Sequence, residues 1–500
     1  MSRISHQRAG KNFISNRFCR LFTAFFSCGL FLVQTLTVLA EPSETEQRLE
    51  AQRAMEIQSN QVENWPRGPV VSAEAAILME AETGTILYAK NIHQQEYPAS
   101  TTKILTSLIA IEQCSMDDII PITQEAVSDT PRDSNHIALD AGEALTFEQC
   151  LNAILIRSAN EAAYALGAYI AGGSWHDFAD IMNERAEELG CLNSHFVNPN
   201  GLPDEDHYTT AYDLAMIGRS FFSNEMLCQI TLTRRLEIPA SNLQPDNILE
   251  LNSMQIIPGG KYEYQYLIGC KTGYTNTARS CLVSAAERDG MKLICVVLRD
   301  ETPYQYEDTI SLFEYGFNNF EKVNVSQTET KYDIENTGLF YSGNDIFGSS
   351  SPILSLNKFD YIILPRTATF DDLDSTISYD NVGSNQAAVI TYTYHGAEIG
   401  SVRVNFTVNQ SGNHLFDTED EENSDEVPEN SDSPVIYVNV IRVLIGMAVA
   451  AGIIFIVLVI RKILKNYQIS FGSGRRNWRK DKRHRRKRAK RPNRFRDFDF

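Results

Sequence analysis

The chain has 500 residues, 43% of them hydrophobic, which allows more than one folded unit and is ordinary for a globular protein. Its net charge of −19 hides an asymmetry: residues 461–500 hold 17 Lys or Arg against three Asp (net +14), residues 1–40 are net +5 with no acid, and residues 41–460 are therefore net −38. An acidic middle of that size argues against nucleic acid as its partner.

Taken in order, the chain opens on a targeting pattern. Arg3, Arg8, Lys11, Arg17 and Arg20 precede an uncharged apolar run, Leu21–Ala40. This predicts a signal peptide over residues 1–40, with Val38-Leu39-Ala40 before a cut at Glu41; an uncleaved anchor is the alternative. Residues 41–69 are rich in Glu and Gln and read as a polar lead-in, flexible or helical. Two short apolar runs, Ala75–Met79 and Thr85–Tyr88, flank Glu82-Thr83-Gly84 and predict a hairpin.

The stretch Tyr97-Pro98-Ala99-Ser100-Thr101-Thr102-Lys103 follows. Ile104, Leu105, Leu108, Ile109 and Ile111 recur at helical spacing behind it, so the segment from Ser100 reads as a helix that Pro98 prevents from extending backwards. Residues three apart share a helix face, which puts the Lys103 amine within reach of the Ser100 hydroxyl. Serine needs such a base to act as a nucleophile. Taken alone, the pair reads better as an N-capping serine followed by a solvated lysine.

Thr146-Phe147-Glu148-Gln149 is a capping box for a helix carrying Leu151, Ile154 and Leu155, which ends at Ser158-Ala159-Asn160; another helix runs over Glu161–Ile170. Ser158 and Asn160 could simply cap that next helix. Leu267–Gly273 reads as a strand, and Cys281–Ala286 and Lys292–Leu298, joined at Asp289-Gly290, as antiparallel partners. A helix over Tyr304–Phe320 completes one α/β domain, residues 70–320.

Residues 321–412 predict a small β-rich domain, with Val402, Val404, Phe406 and Val408 alternating after a turn at His395-Gly396. Residues 413–434 form an acidic, disordered linker, with nine acids between Asp417 and Asp432. Val443–Ile460 is 18 residues without a charge, so 435–460 reads as a transmembrane helix with the basic tail 461–500 on the cytoplasmic side, near anionic lipid headgroups. Everything before it lies outside the cell membrane in this topology. Seven cysteines remain beyond residue 40, an odd number with no metal-site spacing, and most read as small buried hydrophobes. No metal or organic cofactor is expected.

Three motifs stand in order: Ser100-x-x-Lys103, Ser158-x-Asn160 and Lys271-Thr272-Gly273. Together with Pro98–Lys103, Asn198-Pro199-Asn200-Gly201-Leu202, His207–Asp213 and Gly269–Thr275, the set resembles the low-molecular-weight D-alanyl-D-alanine carboxypeptidases of the penicillin-binding protein and serine β-lactamase superfamily, over most of residues 70–320. The resemblance implies an α+β, transpeptidase-like domain with an antiparallel sheet flanked by helices. It implies removal of the terminal D-alanine from peptidoglycan stem peptides through an acyl-enzyme on Ser100, and covalent capture of β-lactams.

Lys103 would be the base, with a pKa lowered by burial and by Lys271. Lys271 and Thr272 offer a cation and a hydroxyl to a terminal carboxylate, and Gly273 allows a close approach. By resemblance, Ser158 relays a proton to the leaving nitrogen, Asn160 holds the substrate amide, and the N–H groups of Ser100 and Tyr274 form the oxyanion hole. His207 is expected to be structural. Members of that family often have glycine near Arg279, so a bulky cation here would alter the rim of the substrate groove. The rival readings are a β-lactamase, disfavoured by the anchor and the β domain, and a catalytically silent wall-binding protein of the same fold.

Overall fold

Both faces of the central sheet are buried, and this explains why its strands read as continuous apolar runs rather than as alternating ones. In the computed structural model, which describes residues 43–329, 354–380 and 386–406, β1 (Ala75–Glu80) pairs with β2 (Ile86–Lys90) and all six of its residues are buried. Ile77 and Met79 pack into one apolar cluster with Ile104, Leu105 and Leu108. Ala76 and Leu78, on the other face, join Leu312 and Phe313. Each large apolar side chain buried this way contributes about 1.5–3 kcal/mol.

Two short ladders, β3 (Ile119–Pro121) with β4 (Ala144–Thr146) and β5 (Arg235–Ile238) with β6 (Ile248–Leu251), stand apart from this sheet. The remaining central strands are β7 (Leu267–Thr275), β8 (Arg279–Arg288) and β9 (Met291–Asp300), giving the order β2-β1-β9-β8-β7, antiparallel throughout. All three extend beyond the runs expected from sequence, because their polar ends pair too, Thr275 with Arg279 and, past a shift in register, Ser280 with Asp300. Asp289 and Gly290 turn the chain between β8 and β9 with φ of 54° and 76°, the left-handed pair that an Asp-Gly hairpin turn uses. Helix Lys103–Gln113 lies on one side of the sheet and helix Tyr304–Asn319 on the other.

The lead-in is ordered at its start as a helix, Glu44–Arg53, and Trp65 further along is buried against Phe320. Beyond the last helix, β10 (Phe320–Asn324) pairs with β12 (Tyr361–Pro365). A second sheet has the order β11-β15-β14-β13, from β11 (Leu354–Leu356), β13 (Asp374–Ser378), β14 (Gln386–Tyr394) and β15 (Ala397–Phe406). Val402 and Val404 are buried as their alternation requires, whereas Phe406, last of the described residues, is exposed.

Among the described residues no helix is long and apolar enough to cross a membrane. The expected signal segment 1–40, linker 413–434, transmembrane helix 435–460 and basic tail 461–500 lie outside the described residues. All seven cysteines from Cys114 to Cys295 are unpaired, six of them buried.

Candidate active site

The helix expected from Ser100 starts one turn later. Residues Ala99–Thr102 form a 3₁₀ turn and the α-helix begins at Lys103. The threonine hydroxyls cause this tightening: Thr101 Oγ1 donates to the Pro98 carbonyl at 2.7 Å and Thr102 Oγ1 to the Ala99 carbonyl at 2.9 Å. Ala99 itself is left-handed, with φ of 49°. A non-glycine residue pays about 1–2 kcal/mol there, and the packing of loop 198–202 holds it. A Cβ on Gly201 would fall 1.8 Å from the Ala99 carbonyl oxygen, so glycine at φ 80° is the residue that fits.

Lys103 is fully buried. Its Nζ lies 3.1 Å from Ser100 Oγ, 2.7 Å from Asn160 Oδ1 and 2.7 Å from the Asn200 carbonyl. Burial, and after it the Lys271 ammonium, holds its pKa well below the lysine range, with Glu161 opposing. In the neutral amine, two hydrogens serve Asn160 and Asn200. The lone pair is then left to face the Ser100 hydroxyl, which is the orientation a general base needs.

Ser158 and Asn160 are not caps. The helix Asn160–Ile170 has Ala159 at its N-cap position with no side-chain cap bond. A π turn, Ala153–Arg157, ends at Ser158 in a left-handed conformation, φ 60°. Lys271 Nζ donates to Ser158 Oγ at 3.1 Å and to the Thr272 carbonyl at 2.8 Å, which leaves one hydrogen for a ligand. Burial brings its pKa down to about 8. Asn160 is engaged at both ends, Oδ1 on Lys103 and Nδ2 donating to Ser134 Oγ at 2.9 Å. It therefore orients the base, whatever else it touches.

Strand β7 runs along this cluster. A Cβ on Gly273 would come within 2.8 Å of the Pro98 carbonyl and 2.9 Å of the Ser100 amide, so the strand and the nucleophile turn are in direct contact. Thr272 is partly buried and Tyr274 is exposed at the strand's outer end. A hollow of about 260 Å³ beside the turn is lined by Tyr97, Pro98, Leu202, Asp204, Thr275 and Thr277. The structure thus brings together Ser100, Lys103, Ser158, Asn160 and Lys271, with Thr272, Gly273 and Tyr274 on the adjoining edge. It adds Ser134 and the Asn200 carbonyl. The turn-forming Asn198–Leu202 string marked the second of these in the sequence, and nothing marked Ser134.

Residues 61–302 match the D-alanyl-D-alanine carboxypeptidase family. The chain is 31% identical over 258 residues to a D-alanyl-D-alanine carboxypeptidase of Mycobacterium tuberculosis, covering 50% of this chain and 84% of that one. It belongs to the D-alanyl-D-alanine carboxypeptidase family of serine-type peptidases. D-alanyl-D-alanine carboxypeptidase DacF of Bacillus subtilis is 32% identical over 256 residues, 50% of this chain and 63% of that protein. Penicillin binding protein 6B of Escherichia coli has the same fold, with a TM-score of 0.52 at 22% identity over 69% of this chain and 98% of that chain.

Within the family frame, two side chains gain a meaning. His207 is buried and structural in its contacts: its Nδ1 accepts from the Val197 amide at 3.1 Å, so Nε2 carries the hydrogen and faces Thr102 Oγ1 at 2.9 Å. Arg279, expected to alter the rim of the substrate groove, has φ of 56°, a conformation glycine adopts without cost. Its guanidinium is turned onto Glu301, at 3.0 Å and 2.6 Å, rather than into the groove.

Proposed function

We propose that this chain is a membrane-anchored serine DD-carboxypeptidase that removes the terminal D-alanine from peptidoglycan stem peptides through an acyl-enzyme on Ser100. The observation that carries the reading is the buried Lys103 amine, 3.1 Å from Ser100 Oγ and held by Asn160 and Asn200. The terminal carboxylate binds Lys271 and the Thr272 hydroxyl. Ser100 Oγ attacks the carbonyl of the penultimate residue while Lys103 takes its proton. The N–H groups of Ser100 and Tyr274 hold the oxyanion.

Collapse of that intermediate breaks the C–N bond, and the departing amine takes, by way of Ser158, the proton that Lys103 received, which leaves Lys103 neutral again. Water, activated by Lys103, then hydrolyses the ester and frees Ser100. The residues of the stem peptide ahead of the scissile bond run along β7 towards Thr275 and the hollow it lines. A β-lactam amide offers the same carbonyl beside a carboxylate and acylates Ser100.

The anchoring part rests on sequence: the signal pattern of residues 1–40, the uncharged run within 435–460 and the basic residues after it. The catalytic domain then faces the wall and the tail meets anionic lipid headgroups. Free D-alanine released from a peptide ending in D-alanyl-D-alanine, by the wild-type chain and not by Ser100→Ala, tests the reading. Equal release by both would refute it.

A further inference from the structure

The helix Glu44–Arg53 lies ahead of the family match, which begins at residue 61, yet it is firmly tied to the domain. Ser43 and Glu46 close its start as a capping box. Leu49 is buried, Gln52 Nε2 donates to the Arg299 carbonyl at 2.9 Å, Arg53 Nε donates to Ser72 Oγ at 2.9 Å, and Lys90 Nζ donates to the Gln52 carbonyl at 2.8 Å. Polar contacts of this number fix the helix in angle as well as in place.

One contact reaches the substrate edge. The Arg48 guanidinium binds Glu301, just past β9, and the same carboxylate takes Arg279 through both of its oxygens. Glu301 is 10% exposed at its side chain, so the two cations share an anion largely withdrawn from water, where such pairs hold geometry best. Arg279 closes the turn between β7 and β8. It pairs with Thr275, its neighbour Ser280 pairs with Tyr274, and its guanidinium is 5.9 Å from the Tyr274 ring centre. A left-handed arginine does not hold such a turn by its own preference. Within the turn the Ala278 amide donates to Thr275 Oγ1 at 2.9 Å, and from outside it the Arg279 side chain is held on Glu301, which Arg48 also contacts.

We infer that Arg48 is a positioning residue for the substrate edge: through Glu301 and Arg279 the N-terminal helix fixes the turn beside Tyr274, and with it the groove in which the peptide lies. This rests on the carboxypeptidase reading for its kinetic consequence but not for its structural one.

Two measurements on the full chain test it, with Arg48→Ala, Arg48→Gln and Arg48→Lys beside wild type. Amide hydrogen exchange over residues 274–280 should quicken by about tenfold in the Ala and Gln variants, while helix Lys103–Gln113 stays as protected as in wild type. For a peptide ending in D-alanyl-D-alanine, KM should rise about threefold to tenfold with kcat within about twofold, and Arg48→Lys should recover most of the loss. Unchanged exchange at 274–280, or an unchanged KM with apparent kcat lowered only in step with the folded fraction, would overturn the inference. If wild type releases no D-alanine, the functional reading fails, and the exchange comparison still decides this one.

Discussion

Asn160 Oδ1 lies 2.7 Å from Lys103 Nζ, and by that contact a residue 57 positions away in the chain orients the base. The Asn160 carboxamide is itself fixed by Ser134, so the orientation does not depend on a bound peptide. This separates two kinds of damage: loss of the base and loss of its aim.

Replacing the base should be the more severe. Lys103→Ala is expected to lower kcat by about 10²–10⁴. Lys103→Arg should not restore it, because a guanidinium stays protonated. Pre-steady-state acylation by a penicillin, followed beside circular dichroism to check the fold, measures this. A Lys103→Ala variant that acylates at the wild-type rate would remove lysine from the mechanism.

Losing the aim should cost less. Asn160→Ala leaves the amine in place with one acceptor fewer, and kcat is expected to fall by about tenfold to a hundredfold with little change in KM. If KM rose instead and kcat held, Asn160 would be acting on the substrate amide.

The alkaline limb belongs to Lys271. Its pKa of about 8 means that the cation is present below that pH and lost above it. Binding of a terminal carboxylate should therefore weaken as pH rises through about 8, seen as a rise in KM. Lys271→Ala should raise KM by about tenfold or more at pH 7 and abolish that limb. On the acid side, activity should fall where Lys103 becomes protonated.

His207 makes an acid-sensitive contact in the fold. Burial lowers its pKa from 6.5 to about 3, and its Nδ1 already accepts from the Val197 amide. Between those values the unfolded chain binds the proton and the folded chain does not, so stability falls as pH drops from 6.5 towards 3. Urea unfolding should show a loss of about 2–3 kcal/mol between pH 6.5 and 4 from this group. His207→Gln should lower stability at neutral pH and flatten the slope; an unchanged slope would assign the acid sensitivity elsewhere.

The parts of the site legible in the sequence were those written in short spacing. Ser100 and Lys103 share a turn, Lys271-Thr272-Gly273 share a strand, and the Asp289-Gly290 turn needs only local chemistry. What could not be read depends on contacts made only in three dimensions. Ser134 meets Asn160 from 26 residues away, and the Asn200 carbonyl meets Lys103 from 97 residues away. The left-handed φ of Ala99 carries no signal in an alanine. Arg279 stood out as a departure, but Glu301 and Arg48, which explain where its side chain goes, did not. The capping alternative for Ser158 and Asn160 was reasonable on sequence and fails because the helix starts at Asn160 itself, with Lys103 and Ser134 holding the side chain.

An acyl-enzyme on Ser100 is detected by mass spectrometry of the full chain after exposure to benzylpenicillin. One adduct of the mass of the intact antibiotic is expected, carried by the peptide containing Ser100 and absent from Ser100→Ala. An adduct on another residue, or none on a folded chain that still releases D-alanine, would contradict it.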